Sequence, residues 1–332
     1  MVFQKSLTKS PDPSILFAII FFLITVVGTN AAPAPDSTYV TGKTSFTVKV
    51  GTLTFDYSIM SIFLMPSEEI TIEIPASDRP CTFDVTISLD TVAISGDSQW
   101  RYTAPSQPGL YKLNIICREM SDTMTINIFV LVPYGQMNGE YLNGYQIGRY
   151  PKTLYKGLPA YKPPPGFIEI TEENAETRLT PHFRLSQFAC KQGNGYPKYI
   201  VLRELLLVKL EVILQALNEK GYHCSTLNVM SGYRTPYYNK TIGNVRYSRH
   251  QWGDAADIFI DENPKDDVMD DLNKDGQINW KDAGVMYDII DALSGMKVFE
   301  RLIGGLARYK RTSNHGPFVH VDARGYRARW SY

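Results

Sequence analysis

The period of hydrophobic residues changes between the two halves of this 332-residue chain, and that change constrains the fold more than any other feature. From Asp36 to Pro133, apolar and polar residues alternate in short runs such as "SFTVKVGTLTFDYSI", "EITIEIP" and "TINIFVLVP", a pattern typical of half-buried strands. Turn signals such as "SGDSQ" and "PSQPG" separate these runs. We therefore predict an all-β sandwich over residues 36–133.

The spacing of the turn signals favours a sandwich of about seven strands, of the immunoglobulin-like type. The stretch "WRYTAPSQPGLYKLNI" also resembles the late strands of bacterial immunoglobulin-like modules. No group of residues in this half suggests chemistry. We expect a spacer or adhesion module, with specific ligand binding as the alternative.

The second half has a different character. Residues 134–170 are rich in Gly, Pro and Tyr, which predicts a linker that packs on a neighbouring domain. The run from Tyr199 to Lys220 consists of good helix formers and ends at Gly221, a typical helix stop. The stretches "TLNVMSGYRTP", "DAADIFID" and "FVHVDAR" read as strands. Residues 171–332 are therefore predicted to form an α+β domain, in a multidomain chain.

The N-terminus carries a short apolar run. Residues Ile15 to Gly28 are apolar, follow Lys5 and Lys9, and precede small residues. The run is shorter than the roughly 20 residues that a spanning helix needs, so residues 1–32 are predicted to be a signal peptide cleaved near Ala32. An uncleaved N-terminal anchor is the alternative. In either case we expect an exported protein, periplasmic or associated with the cell envelope, or secreted.

The four cysteines, Cys81, Cys117, Cys190 and Cys224, fit an oxidising compartment. They match no zinc pattern, because no two of them lie within four residues of each other. Three connectivities are possible; pairing within each half is the simplest, and free buried thiols are the alternative. The equal numbers of basic and acidic residues, 34 of each, give no support to a nucleic-acid partner.

Three of the five histidines fall in two short segments. The stretch "SRHQWGDAADIFID" places His250 seven residues before Asp257, and "HGPFVHVD" contains His315 and His320, of which His320 completes the set. Two histidines and one carboxylate suit a hydrolytic zinc, which keeps one position open for water. A histidine and an aspartate at this spacing are, taken alone, more often part of an ordinary turn.

Four segments come in order along the second half: "SGYRTPYYN", "SRHQWGDAAD", "IGGLARY" and "HGPFVHVDARGYRARW". Together they resemble the zinc D-Ala-D-Ala carboxypeptidase and murein endopeptidase family, whose pattern is SGYR, then SxHxxGxAxD, then a strand with the last zinc histidine. "LTPHFRLSQFACKQ" resembles the opening of that domain. The resemblance implies a zinc held by His250, Asp257 and His320, with water in the fourth position.

The resemblance also implies acid/base roles, with one departure. Many relatives have an acidic residue three positions before the last zinc histidine, where this chain has Pro317. His315 and Asp322 are the remaining candidates for acid/base work or for orienting a ligand. We favour His315 for proton transfer and Asp322 for support.

Two further residues resemble substrate-binding positions of the family. Arg234 in "SGYR" matches the arginine that binds substrate or stabilises the developing oxyanion, with a structural salt bridge as the alternative. Ser248 matches the serine that contacts the end of the substrate, and a turn hydroxyl is the alternative.

A second metal pattern lies between the zinc motifs. Residues 271–282 read "DLNKDGQINWKD", with glycine at position 6 and isoleucine at position 8 of an EF-hand-like loop, and an apolar helix-like run follows. Aspartate at position 12, in place of the usual glutamate, resembles loops of dockerin type. The loop predicts Ca²⁺ bound by Asp271, Asn273, Asp275, Gln277 and Asp282, with a solvated acidic loop as the alternative.

These features together predict a zinc peptidase that acts on peptidoglycan stem peptides or cross-links. The expected partner is peptidoglycan, with no nucleic acid and with a membrane only through an uncleaved anchor. The alternative is a peptidoglycan-binding module of the same fold without turnover, and Pro317 is its main argument. A third possibility is a structural envelope protein in which the first half alone binds the wall.

Overall fold

Two β-sheets make up the first part of the chain in a computed structural model that describes residues 39–75, 81–87, 90–95 and 98–331. Their strands are β1 (Lys43–Val50), β2 (Leu53–Tyr57), β3 (Ile59–Leu64), β4 (Glu69–Ile74), β5 (Thr82–Ile87), β6 (Asp90–Ser95), β7 (Ser98–Thr103), β8 (Gly109–Cys117) and β9 (Asp122–Val130). One sheet has the order β2-β1-β4-β7 and the other β3-β9-β8-β5-β6.

The alternating pattern explains how the two sheets pack. Along β1, Phe46, Val48 and Val50 are buried, and the residues between them are more exposed. The ring of Phe46 packs edge-on against Phe83 of β5 in the other sheet, with centroids 5.2 Å apart. The predicted strands of the first half are confirmed, while the immunoglobulin-like type stays a prediction.

Residues 134–170 contain short strands as well as turns. The next elements are β10 (Val132–Pro133), β11 (Tyr141–Leu142), β12 (Tyr145–Gln146), β13 (Gly166–Ile170) and β14 (Lys198–Ile200). Strands β11 and β12 pair with each other, and β13 lies between β10 and β14. Leu142, Ile147 and Tyr161 are buried. This Tyr- and Pro-rich segment is therefore joined to later parts of the chain by strand pairing and by burial.

The long apolar run forms a shorter helix than the sequence predicts. The described residues contain three α-helices, α1 (Glu204–Glu219), α2 (Pro236–Thr241) and α3 (Trp280–Ala292). Helix α1 begins at Glu204 rather than Tyr199, because residues 198–200 pair with β13 as strand β14. The predicted stop is confirmed: Gly221, at φ +86°, follows the C-cap Lys220, and glycine reaches this conformation without steric cost.

A five-stranded sheet forms the centre of the second part. Its strands are β15 (Asn228–Ser231), β16 (Ala255–Phe259), β17 (Gly305–Tyr309), β18 (Phe318–Asp322) and β19 (Ala328–Ser331), in the order β15-β16-β18-β17-β19. The three strands predicted here, β15, β16 and β18, are confirmed and are neighbours in the sheet. Helix α3 packs against β17 and β18. This part of the chain is thus α+β, as predicted.

Buried polar contacts join the first two sheets to the second part. The hydroxyl of Ser61 donates to the Leu179 carbonyl (2.9 Å), and the amide of Asn127 donates to the Arg178 carbonyl (2.8 Å). The backbone N–H of Phe63 donates to Glu204 Oε1 at the first turn of α1 (3.1 Å). The described residues from Tyr39 onward accordingly belong to one compact unit.

The cysteines pair in the first half only. Cys81 and Cys117 form a disulfide, whereas Cys190 and Cys224 are buried free thiols. The expectation of a second bond, between Cys190 and Cys224, is wrong. The two residues have separate surroundings: the Cys190 carbonyl accepts from Lys198, while the Cys224 sulfur lies 3.7 Å from Asn218 Nδ2. Burial raises the pKa of the Cys224 thiol to about 12.

The predicted signal peptide or anchor, residues 1–32, lies outside the described residues. Within the described ranges, no helix combines the length and the apolar character needed to cross a membrane. Export stays a prediction.

Candidate metal centre

Strand register brings the predicted zinc ligands together. Asp257 on β16 is the direct partner of His320 on β18. His250 lies just before β16, on a 3₁₀ turn that spans Arg249–Trp252. Gly253 leaves this turn at φ +71°, and a Cβ there would come within 2.2 Å of the Val201 carbonyl oxygen, so only glycine fits.

The three candidate ligand atoms form a compact triangle. His320 Nδ1 lies 2.9 Å from Asp257 Oδ1, and His250 Nε2 lies 3.3 Å from the same oxygen. The two ring nitrogens are 3.2 Å apart, and all three side chains are buried. Ligand atoms about 2.0–2.1 Å from a tetrahedral zinc lie about 3.3 Å from one another. The triangle therefore fits one small cation.

The remaining nitrogen of each ring has an acceptor of its own. His250 Nδ1 donates to the Gly232 carbonyl (2.7 Å), and His320 Nε2 donates to Asp322 Oδ2 (3.2 Å). Metal-binding histidines in proteins almost always make such a hydrogen bond, because it fixes the ring and its tautomer. His250 Nε2 is therefore a lone-pair atom that faces Asp257.

The electrostatics of the cluster favour a cation as well. Burial lowers the pKa of His250, and nearby Arg234 lowers it further. Burial raises the pKa of Asp257, but His250, His320 and Arg234 outweigh it and hold that pKa well below its usual range. For His320, burial is outweighed by Asp257 and Asp322, which raise its pKa. Metal uptake would then release the His320 Nδ1 proton, as is usual when histidine becomes a ligand.

Asp322 holds His320 rather than facing the cluster. Its carboxylate is fully buried, accepts from the Gly305 N–H (2.7 Å) and forms an ion pair with Arg324 (2.5 Å). Although burial raises the pKa of Asp322, His320 and Arg324 lower it by more, so the group stays ionised. This arrangement matches the predicted supporting role better than proton transfer.

Arg234 contacts the ligand set itself. Its Nη2 lies 2.5 Å from Asp257 Oδ2, and its Nε donates to Ser231 Oγ (2.8 Å). The guanidinium therefore forms the salt bridge that was the alternative to substrate binding. Ser248 is buried at the start of the 3₁₀ turn, and its hydroxyl makes no hydrogen bond to other residues that the structure describes. Substrate contacts of both residues stay predictions.

His315 lies in the loop before β18. Its Nδ1 is 2.8 Å from the Gly316 carbonyl, and its ring packs edge-on against Phe318 at 5.0 Å. No hydrogen bond joins it to His250 or His320 in the described part of the chain. Its Nε2 has no hydrogen-bond partner there either, so this nitrogen is available to a substrate or water.

The predicted calcium loop is closed by its own hydrogen bonds. Asp271 accepts from the N–H groups of Asp275 (3.2 Å) and Gly276 (2.7 Å), and Gly276 has φ +81°. The buried Asp282 accepts from the N–H groups of Leu272, Asn273 and Asn279. Asp282 therefore ties the loop to the start of α3. Calcium binding stays a prediction.

Some residues around the site are absent from the sequence-based prediction. Arg324 neutralises Asp322, and a buried ion pair between Arg249 and Asp254 flanks His250. The sequence could have indicated both ion pairs. Asp322 and Arg324 lie two positions apart, and Arg249 and Asp254 lie five positions apart, inside the zinc motifs. Tyr150 contacts Gln251 from a distant segment, and no sequence pattern indicates that contact.

Comparisons with known proteins agree with the geometry in part. Residues 181–280 match the family model described as Peptidase M15. No curated protein matches the chain. A solved structure described as fibronectin(III)-like modules of Clostridium thermocellum CbhA is 14% identical, with 25% of this chain and 94% of that chain covered. Its TM-score of 0.17 does not establish a shared fold.

The Peptidase M15 match includes His250 and Asp257 and ends before His320. M15 peptidases are zinc-dependent, so the match and the His250, Asp257 and His320 cluster together support a zinc metallopeptidase. The match covers less than half of the chain, and it does not distinguish among the types of M15 peptidase.

Proposed function

We propose that this protein hydrolyses peptide bonds in peptidoglycan stem peptides or cross-links, as a D-Ala-D-Ala carboxypeptidase or a murein endopeptidase. One observation carries the proposal: His250 Nε2, Asp257 Oδ1 and His320 Nδ1 converge within 3.3 Å of one another at the centre of the second part. The Peptidase M15 match at residues 181–280 supports the same class, which acts on peptidoglycan.

The residues around the cluster have separable tasks. Zinc held there supplies a Lewis acid that polarises a peptide carbonyl and lowers the pKa of a water molecule to about 7. Gly232 and Asp322 hold the two imidazoles in orientation, and Arg234 holds the second oxygen of Asp257. Burial of all three ligand side chains strengthens these contacts, because the local dielectric is low.

Proton transfer is assigned to His315. Its Nδ1 is occupied by the Gly316 carbonyl, which leaves Nε2 to take up a proton from water and return it to the leaving amine. Asp322 is not the proposed base, because the positive charge of Arg324 keeps it ionised and in place. Ser248 and the outer edge of Arg234 are proposed to contact the substrate.

Calcium in the loop of residues 271–282 is a second part of the proposal. Asp271, Asn273, Asp275, Gln277 and Asp282 would supply oxygen ligands, with the Gln277 contribution through its backbone carbonyl as in EF-hands. The sequence pattern supports this assignment. Bound calcium would stabilise the folded insertion by mass action.

Peptidoglycan as the partner implies a location outside the cytoplasm. We propose an exported protein, periplasmic, envelope-associated or secreted, with residues 1–32 as signal peptide or anchor. The Cys81–Cys117 disulfide supports this location, because disulfides persist mainly in oxidising compartments. The immunoglobulin-like module in front is proposed to serve as a spacer or adhesion unit.

The test combines metal content with product analysis. Zinc per chain is measured by mass spectrometry, and purified peptidoglycan is digested with the parent, with His320→Ala and with the control His223→Asn, which changes a histidine outside the cluster. One zinc per chain, with products that disappear only in His320→Ala, is expected. Product masses separate loss of a terminal D-alanine from cleavage of cross-links. A parent chain without zinc would overturn the proposal.

The binding module without turnover is the second candidate. The observation in its favour is Pro317, which stands three residues before His320 where many relatives have an acid. Zinc in the parent with no products, together with sedimentation of the protein with peptidoglycan, would establish this candidate. Loss of products in His315→Ala, with zinc retained, would exclude it.

A further inference from the structure

The turn that carries His250 is held by a segment far upstream in the sequence. The Tyr247 hydroxyl donates to the Thr153 carbonyl, and the indole N–H of Trp252 donates to the Lys162 carbonyl, each at 2.9 Å. Tyr247 and Trp252 lie on either side of His250 in the sequence, so both ends of the segment that carries it are held. Thr153 and Lys162 precede residues 181–280, the part that matches Peptidase M15.

A buried cation strengthens the same contact. Arg249 pairs with Asp254, and its Nη1 donates to the Ala160 carbonyl (3.1 Å). Its guanidinium also lies over the ring of Tyr161, 4.4 Å from the centroid. A cation over an aromatic face is attracted by the ring quadrupole, and more strongly when the pair is desolvated. The upstream segment is therefore fixed against the residue next to His250.

Tyr150 makes a further buried contact with the same turn. Its hydroxyl donates to the Gln251 carbonyl at 2.9 Å and lies 3.0 Å from the Tyr233 hydroxyl. A hydroxyl has one hydrogen, so Tyr233 is the donor to Tyr150. Both tyrosines are buried, and burial raises the pKa of each, so both hydroxyls stay protonated in neutral solution.

These hydrogen bonds end at the two backbone segments that orient His250. Gln251 is the next residue after His250 in the turn. Tyr233 follows Gly232, whose carbonyl accepts the ring proton of His250. The N–H of Arg234, next in sequence, donates to the His250 carbonyl (3.2 Å). The Tyr150 hydroxyl thus connects the segment after β15, which holds the His250 ring, to the turn that carries the His250 backbone.

We propose that Tyr150 is a positioning residue for the metal ligand His250, acting through Tyr233 and Gln251. The proposal rests on the metal centre of the proposed function. Removing the hydroxyl leaves the Gln251 carbonyl and the Tyr233 hydroxyl without this partner in a buried place. Residues that orient metal ligands from outside typically change metal affinity by about 10–100-fold when they are altered.

The test uses the full chain with Tyr150→Phe, which removes one oxygen atom. Tyr155→Phe is the matched control, because Tyr155 belongs to the same segment and its hydroxyl makes no hydrogen bond within the described ranges. Co²⁺ is titrated into the metal-free proteins, and its dissociation constant and visible absorption spectrum are recorded. Urea unfolding of the metal-free proteins is measured in parallel.

We expect Tyr150→Phe to bind Co²⁺ about tenfold or more weakly than the parent and the control. We also expect an altered visible spectrum, because the coordination geometry changes. Should Tyr150→Phe not fold, Tyr233→Phe removes the bond between the two hydroxyls, leaves the Tyr150 bond to Gln251, and should weaken Co²⁺ binding in the same direction.

Two results would overturn the positioning role of Tyr150. The first leaves the proposed metal centre intact, and the second overturns it as well. If Tyr150→Phe lowers stability but matches the control in Co²⁺ affinity and spectrum, Tyr150 has only a structural role and the metal centre stands. If the parent takes up neither Co²⁺ nor Zn²⁺, the metal centre and the positioning role fail together.

Discussion

His320 Nδ1 lies 2.9 Å from Asp257 Oδ1, and the two residues are direct partners across the β16–β18 pair. Two of the three candidate ligands are therefore held by a ladder of backbone hydrogen bonds rather than by loops. Ligands on paired strands keep their separation when loops move. The metal centre should accordingly be preorganised, and its affinity should depend on individual side chains.

Replacing Asp257 by Asn removes the negative ligand and leaves Arg234 without its buried ion partner. Zinc affinity should fall by more than about 100-fold, beyond the usual effect of an outer residue. Competition with a chromogenic chelator measures the affinity. Asp267→Asn, in an exposed loop, is the control and should bind zinc like the parent. Equal affinity in both variants would contradict the assignment of Asp257 as a ligand.

Asp322→Asn tests whether Asp322, which is not itself a candidate ligand, holds the ligand His320 in place. The change should weaken zinc binding by about 10–100-fold. It should also lower the free energy of unfolding by about 3 kcal/mol, because the largely buried Arg324 loses its counter-charge. Glu69→Gln is the control at an exposed ion pair with Arg101 and should cost about 1 kcal/mol or less. Chelator competition and urea unfolding check both effects.

Lys209 should make stability depend on pH. Its Nζ donates to the carbonyls of Leu302 (3.0 Å) and Asp322 (2.7 Å), and burial lowers its pKa to about 8. An unfolded lysine titrates near about 10.4, so between pH 8 and 10.4 the unfolded chain binds more protons and stability rises with pH. Relative to Lys209→Met, the parent should gain about 2 kcal/mol from pH 7 to 10. Urea unfolding of both proteins at each pH measures this, and parallel pH curves would contradict it.

The cysteines can be counted by their reactivity. Under non-reducing conditions, the native protein should show no reactive thiol, and the unfolded protein should show two, from Cys190 and Cys224. Reduction of the Cys81–Cys117 bond, which closes a loop of sequence separation 36, should destabilise the protein by about 4 kcal/mol in the chain-entropy view. Thiol titration with and without denaturant gives the count. Zero thiols after unfolding would show that a second disulfide exists.

Calcium should raise the melting temperature of the parent in a concentration-dependent way. Asp271→Ala removes a predicted ligand and should abolish that increase, while Asp288→Ala, on the exposed side of α3, should retain it. Melting curves with Ca²⁺ and with a calcium chelator measure the effect. If Ca²⁺ does not change the melting temperature of the parent, the calcium part of the proposal is wrong.

The sequence was most informative where a short stretch indicates a secondary-structure element and also contains the residues of a functional motif. Strands β16 and β18 follow from short stretches in which apolar residues surround a polar one, and the resemblance to the zinc peptidase family implied Asp257 and His320 on them as ligands. Helix α1 was predicted with its end at Gly221, since a glycine after a helix has a local conformational cause.

Partners distant in sequence could not be predicted in the same way. Tyr199 and Ile200 read as part of a helix, and only pairing with β13 makes them a strand. Likewise, Tyr150 has an ordinary local context, and its contact with Gln251 exists because two segments about 100 positions apart meet. The choice between a Cys190–Cys224 bond and free buried thiols was left open for the same reason: nothing near either cysteine in sequence specifies which side chains surround its sulfur.

The order β16-β18 has a consequence for how such a chain tolerates change in length. Asp257 and His320 are adjacent in the sheet although 63 positions separate them, and the EF-hand-like loop and α3 lie in between. Each doubling of a flexible loop costs only about 0.6 kcal/mol of closure entropy. Residues can therefore be inserted or deleted between these two strands while the hydrogen bonds that pair the strands keep the ligand spacing constant.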